Sequence, residues 1–406
     1  MLDPTLRQVL DACHDGMIRF ARKLVSLPSV TGEEALVAQA ITGEMRQLGY
    51  DGVTVDSVGN VLGVIRGSGG GEHILYNCHM DQVDPGNLEA WEYPPFEAVT
   101  ANGCIHGRGA SDTKGAIAPQ IYAAAAVKQA GIAHRGDILI SCVVEEEPGD
   151  MWGMRRQYDE VLAEYPGRIG LLVLGEATGL DIYLGHRGKV EILLGVSGRV
   201  AHSSAPWRGI NAVYKMQPVI RAIEELNEHL PEHDFLARSS IAVTNITCSP
   251  GWLSTVPDRC VIRLDRRFLP HENSDSILVE LEGILRAGGL TPGEDAEVVF
   301  DRYAHTSYTG VKEALPLYKP AFLTPRDEPH VTAAVKALNA AGQRPNFRSW
   351  DFGTDGAWLA TEHNIPTIGY APTEERYAHT PLDRVSMAMM RQSLNGYAAI
   401  SLALTR

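Results

Sequence analysis

The strongest constraint on this chain is an alternation. Short apolar runs, each closed by a turn and followed by a helical stretch, recur along most of its length. "NVLGVIRG" at 60–67, "HILYNCHMD" at 73–81, "GDILISCVVEEEPG" at 136–149, "RIGLLVLGEATG" at 168–179 and "IPTIGYAP" at 365–372 carry such runs. A strand with one wet face alternates polar and apolar residues, so runs that are apolar throughout predict strands covered on both sides. Between them "AIAPQIYAAAAVKQAG", "PHVTAAVKALNAAG" and the stretch after Arg384 read as helices. The expected fold class is α/β, with a mostly parallel sheet and helices on both faces.

Two departures frame that pattern. Residues 4–48 read as helices broken near "SLPSVTGEE", with Leu36, Val37, Ala40, Ile41, Met45 and Leu48 at helical spacing and Thr31 with Glu34 as a capping box. From Gly188 to Tyr303 the order is β-α-β-β-α-β, the split βαβ or ferredoxin-like arrangement. It interrupts the alternating pattern, which resumes after it. The expected division is therefore 1–187 with 304–406 as one domain and 188–303 as an inserted α+β domain.

At 406 residues the chain has length enough for both. Its formal net charge of −14 argues against nucleic acid or an anionic membrane surface as partner. No apolar stretch is long enough to cross a bilayer. The N-terminus "MLDPTLRQVLDACHDG" lacks a basic segment followed by an apolar core, so no signal peptide is expected. Cys13, Cys78, Cys104, Cys142, Cys248 and Cys260 form no CxxC pair, and reduced cysteines in a cytoplasmic protein are expected.

The polar residues fall in a pattern. His79 and Asp81 follow one apolar run, Glu145, Glu146 and Glu147 another, Glu176 a third, and His379 lies in "YAHTPLD" beyond a fourth. Asp112 sits in a Gly-flanked loop just before a helix. Ligands of open α/β sheets bind outside the carboxyl ends of the strands, so these groups should converge on one rim. Two histidines and several carboxylates without cysteine suit Zn²⁺, with Mn²⁺ or Co²⁺ nearly as apt. The set exceeds what one ion needs and favours two divalent cations sharing a carboxylate.

These segments carry a resemblance. "HMDQVDPG", "GRGASDTKG", "EEEPG", "GEATG", "AHSSAP" and "AHTPLD" resemble, in order and spacing, the aminoacylase / acetylornithine deacetylase / succinyl-diaminopimelate desuccinylase metallopeptidase family. "GHRGKVEI" with "SAPWRGINAVYKMQPVIRAIEELNEHL" is most similar to its selenium-metabolism-linked hydrolase branch. The resemblance implies a zinc-exopeptidase-like catalytic domain, with 188–303 as a lid and dimerisation domain. It implies that His79 ligates one metal and His379 the other, that Asp112 bridges them, and that Glu147 and Glu176 complete the two shells. Asp81 would orient the His79 ring by accepting its second N–H. Glu146 would be the general base on a water that the cations share. His202, in "GRVAHSSAP", would stabilise the oxyanion from the partner subunit of a homodimer.

Some positions depart from the family pattern: Gln82 stands for a usual threonine, Ala177 for proline, Glu145 for aspartate and Thr255 for asparagine. Thr255, Arg267 in "LDRRFLP" and Thr354 in "GTDG" are candidates to bind substrate, the arginine through a carboxylate. Asp355 could orient a neighbour or cap the following helix. Trp91, Trp207 and Trp350 flank the motifs and leave room for an aromatic group.

The implied activity is hydrolysis of a C–N bond, foremost the amide of an N-acyl amino acid or small peptide-like molecule. The alternative is deamination of a small aromatic amine at the same metals. A dinucleotide-binding turn in "GRGASDTKG" would need its third glycine where Asp112 stands. A non-catalytic binder would need a missing ligand or base, and every one is present.

Overall fold

The computed structural model describes residues 3–406. A nine-stranded sheet forms the frame, in the order Gly52–Val55, Val61–Ile65, Ile138–Val143, His73–His79, Ile169–Leu174, Thr367–Gly369, Ile182–His186 and Phe322–Leu323, with Phe347–Trp350 also paired to Ile182–His186. The four central strands, Ile138–Val143 through Thr367–Gly369, run parallel. The strands toward either edge pair antiparallel, apart from Phe347–Trp350. Ile138–Val143, His73–His79 and Ile169–Leu174 are buried at every position, as their unbroken apolar sequence requires.

Helices Pro4–Val25, Gly115–Gln129, Pro329–Ala340 and Met387–Leu404 cover one face through a core that includes Leu6, Phe20, Ile121, Val331 and Tyr397. Helix Gly115–Gln129 is buried from Gly115 to Val127. A helix apolar all round must lie inside, and its alanines let neighbouring helices approach closely. Helices Trp152–Gln157 and Gly356–Glu362 cover the other face around Met154, Leu172, Leu174, Trp350 and Leu359.

A second sheet has the order Ser240–Ser249, Arg259–Phe268, Gly188–Ser197, Ala296–Phe300, all antiparallel. Its strand Gly188–Ser197 turns Val190, Ile192, Leu194 and Val196 toward helices Ala212–His229 and Ser274–Ala287. This is the βαββαβ order read from 188–303. One strand comes from outside that stretch: Tyr318–Lys319 pairs with the start of Gly188–Ser197. The outer strand Ser240–Ser249 is exposed at nearly every residue.

The expected capping box is absent. Helix Ala35–Gln47 has Glu34 at its N-cap with no side-chain cap. The Thr31 hydroxyl donates instead to the Asp81 carboxylate at 2.9 Å. Glu34 is fully buried and accepts the N–H groups of Gly32 and Glu145. Tertiary partners outbid the local motif on both residues.

Candidate metal centre and active site

His79 is the last residue of its strand, Glu145 to Glu147 lie just beyond Val143, and Glu176 lies just beyond Leu174. Parallel strands bring these ends to one rim. Asp112 joins them from the irregular turn Ala110–Lys114. That turn is clamped by Asp383, whose carboxylate accepts the N–H of Gly109 and of Ser111 at 2.8 Å each and pairs with Arg108 at 3.2 Å. Lys114, fully buried, donates to the Leu27 carbonyl at 2.7 Å and to Gln82 Oε1 at 2.5 Å. His379 arrives from the segment before Asp383 with φ of +59°, a left-handed conformation that costs about 1–2 kcal/mol for a side chain of this kind.

The side chains meet. His79 Nε2 lies 2.9 Å from Asp112 Oδ1 and 3.8 Å from Glu176 Oε1. His379 Nε2 lies 3.0 Å from Asp112 Oδ2 and 3.1 Å from Glu147 Oε2. One carboxylate thus faces an imidazole with each of its oxygens. Ligand atoms of His79, Asp112 and Glu147 fall within 4.8 Å of one another, and so do those of His79, Glu146 and Glu176. Glu146 therefore shares the space around His79 and Glu176, where a base must stand to reach a water held there.

The electrostatics suit cations. Burial opposes a charged His79 ring, but hydrogen bonds to Asp112 and Asp81 and the charge of Glu176 outweigh it and lift its pKa well above the ordinary value. His379 is raised to about 10 by Asp112 and Glu147. Burial and the neighbouring Asp112 raise Glu147 to about 7, and burial with Asp112 and Glu146 raises Glu176 strongly. Without an ion the centre must hold protons to exist. Two divalent cations would replace them with nitrogen and oxygen donors already aimed inward, so the residues present fit such ions.

Around this centre, Asp81 faces the His79 ring with main chain and side chain together. The His79 Nδ1–H donates to the Asp81 main-chain carbonyl at 3.0 Å, with carboxylate Oδ1 3.4 Å from the same nitrogen. The carboxylate also accepts the N–H of Glu146 at 3.0 Å and of Glu147 at 3.1 Å. Glu145 turns away from the centre: its Oε2 lies 2.8 Å from His305 Nδ1, and His305 Nε2 lies 2.6 Å from Asp150. The His305 ring stacks on Trp152 at 4.5 Å.

A cavity of about 320 Å³ opens on the centre, lined by Asp112, Glu146, Glu147, Glu176 and His379 and, from elsewhere, by Lys189, Arg267, Lys319, Phe352 and Glu375 among others. Arg267 lines it, but its Nε and Nη2 are taken by Asp265 at 2.7 and 3.0 Å. Thr354 is fully buried with its hydroxyl on His186 Nε2 at 3.1 Å, beside Gly353 of the cavity wall. Burial lowers His186 to about 3, so its ring is neutral and accepts that bond.

His202 and Thr255 stand away from the lining. They face each other across a two-stranded ribbon, with His202 exposed. The His202 Nδ1 accepts from Ser204 N–H and hydroxyl at 3.1 and 2.8 Å, which leaves the proton of the neutral ring on Nε2. Trp207, Trp252 and Leu253, on neighbouring turns, are 76%, 75% and 97% exposed. Trp350 is buried, and Trp91 donates to the Pro85 carbonyl under Arg108. Phe352 is the one Phe, Tyr or Trp ring in the cavity wall among the described residues.

Lys319, Lys189, His305 and Asp383 are absent from the sequence reading of the site. Asp383 lies inside "AHTPLD" and was within reach of it. Lys189 lies inside "GHRGKVEI" but carries no assigned role there, Lys319 enters by pairing with it, and His305 enters through its bonds to Glu145 and Asp150.

The sequence model for peptidase family M20/M25/M40 matches residues 75–403. The chain belongs to that family. The protein YgeY of Escherichia coli K12 is 32% identical over 95% of this chain and 94% of its own. The succinyl-diaminopimelate desuccinylase of Halorhodospira halophila is 27% identical over 67% of this chain and 73% of its own. Among solved structures, aminopeptidase PepT from Bacillus cereus superposes with a TM-score of 0.74 at 20% identity, covering 97% of this chain and 99% of PepT. The Bacillus subtilis YXEP protein, a dinuclear metal binding peptidase of the M20 family, gives 0.69 at 16% identity over 97% and 99%. This M20 protein is a hydrolase acting on carbon–nitrogen bonds. No helix among the described residues is long and apolar enough to cross a membrane.

Proposed function

We propose that this M20 hydrolase removes the acyl group from an N-acyl amino acid or a small peptide-like amide, with two divalent cations, zinc foremost. The observation that carries this reading is Asp112, whose two oxygens face His79 and His379 at 2.9 and 3.0 Å. His79, Asp112 and Glu176 would hold one ion, and Asp112, Glu147 and His379 the other. Bound there, the ions would polarise the amide carbonyl and acidify water at neutral pH. Glu146 takes the proton of the attacking water and returns it to the leaving nitrogen. Asp81 keeps Glu146 and Glu147 in place through their N–H groups.

His202 offers its Nε2–H to the oxyanion of a partner's substrate, beside Thr255. Its exposure and the uncovered Trp207, Trp252 and Leu253 support a homodimer formed through the 188–303 domain, which acts as a lid. The exposed outer strand Ser240–Ser249 gives such a dimer an open hydrogen-bonding edge. Arg267 and the other cavity cations suit a carboxylate on the substrate. Residues 1–187 with 304–406 supply the metal-binding part.

The test is a screen of protein loaded with Zn²⁺ or Mn²⁺ against N-acyl amino acids, dipeptides and arylamines. Release of a free amino acid is expected. Ammonia from an arylamine, with no amide cleaved, would replace this reading by deamination.

A further inference from the structure

Three strands of the smaller sheet place one cation each in a single cross-strand row. Arg267 is the register partner of Lys189, and Lys189 is the partner of Lys319. Directly opposed residues of neighbouring strands share a face and stand about 5 Å apart. All three line the cavity that holds the metal-type carboxylates. The row is the smaller sheet's contribution to a site otherwise built by the larger one.

The three cations are not equivalent. The fork of Arg267 is closed on Asp265 through Nε and Nη2. Lys189 spends one contact, on Glu191 at 3.1 Å. Lys319 is 2% exposed and donates to Glu146 Oε1 at 2.6 Å and to the Gly353 carbonyl at 3.1 Å. An ammonium has three N–H donors. Lys319 therefore keeps one, and its ammonium holds the residue assigned as base.

Resting on the amide-hydrolysis reading, we infer that Lys319 and Lys189 form the subsite for a substrate carboxylate, and that Lys319 ties its occupancy to the placement of Glu146. A carboxylate oxygen bonded to Lys319 sits about 3 Å from Nζ, hence within about 6 Å of the Glu146 oxygen. That reach fits a carboxylate on the carbon beside the scissile nitrogen, not one at the far end of an acyl chain. The substrate class is an amide whose amine half is an α-amino acid with a free carboxylate. A neutral amide of the same shape still offers a carbonyl oxygen to the third N–H of Lys319 but brings no charge to set against two ammoniums, and charge-assisted hydrogen bonds are about twice as strong as neutral ones.

The experiment uses the full-length, metal-loaded protein with N-benzoylglycine and its carboxamide as probes. Calorimetric binding is measured for both, with kcat and KM where either is cleaved. The wild type is expected to favour the acid by at least 10²-fold. Lys319→Met should bring acid and carboxamide within a few-fold of each other and lower kcat at least tenfold. Lys319→Arg, which keeps charge and donors, should recover part of the preference. Lys189→Met should weaken the acid more than the carboxamide. Equal losses for both probes in Lys319→Met would make the lysine a structural brace only and overturn the inference. So would a wild type that binds neither probe or does not distinguish them. Acid preference in binding that Lys319→Met abolishes, without cleavage of any amide, would keep the carboxylate subsite and discard the hydrolytic reading.

Discussion

The carboxylate of Asp81 accepts the main-chain N–H of Glu146 at 3.0 Å. It takes the N–H of Glu147 and the hydroxyl of Thr31 as well, all from a fully buried position. One side chain thus sets where both glutamates begin. Asp81→Asn keeps the size but offers one acceptor oxygen instead of two. Metal affinity and kcat are each expected to fall ~10–100-fold, as for other supports of metal ligands. Metal titration and steady-state kinetics on the folded variant check both, and unchanged values would show that the loop holds itself.

Glu146→Gln should bind metal as the wild type does and lose ~10²–10⁴-fold in kcat. The amide cannot take the water's proton, yet it fits the same space. Elemental analysis with kinetics separates the two effects. Retained turnover would move the base elsewhere in the centre.

Removing the ions with a chelator exposes the proton demand of the ligands. His379, raised to about 10, and Glu147, raised to about 7, must both shed protons to ligate. Ion affinity of the stripped protein should therefore climb as pH rises from 6 to 9, with protons released on binding. Competition titrations against a chromophoric chelator measure the slope, and a flat profile would contradict it.

His305 predicts a stability that depends on pH. Burial disfavours its charge, but Asp150 and Glu145 outweigh burial and raise its pKa to about 9. A histidine raised above its unfolded value of about 6.5 stabilises the fold fully below that pH. The contribution then fades as pH climbs through 9. His305→Gln should lower Tm markedly at pH 6, in line with ~3–5 kcal/mol for breaking a buried pair. The gap to wild type should narrow by pH 10. Melting curves across that range decide it.

His202→Ala and Glu146→Gln should each be nearly inactive, and mixing them should restore part of the turnover. One hybrid site in such a dimer joins an intact base to an intact imidazole from the partner. Inactive mixtures that nonetheless exchange subunits would place His202 at its own chain's site.

The strand ends and the inserted βαββαβ order were legible because burial on both faces leaves an unbroken apolar signature that a short window reveals. That His79, Asp112, Glu147, Glu176 and His379 meet at one rim was legible because each follows such a run or sits in a Gly-flanked turn. Thr31 and Glu34 misled, since a local motif cannot foresee that Asp81, 50 positions on, will take the hydroxyl. Lys319 was invisible for another reason. Its strand has two residues, too few for any periodicity, and its meaning comes from pairing with Lys189, 130 positions earlier. Thr354 reads as a substrate contact in sequence, and the structure adds a partner that no motif announces, His186, 3.1 Å from its hydroxyl.

Asp383 clamps the turn that carries Asp112, and His379 precedes it by four residues. One short segment, residues 379–383, therefore anchors both the shared carboxylate and the second imidazole. A lesion confined to those five positions would disturb both halves of the centre together rather than one at a time.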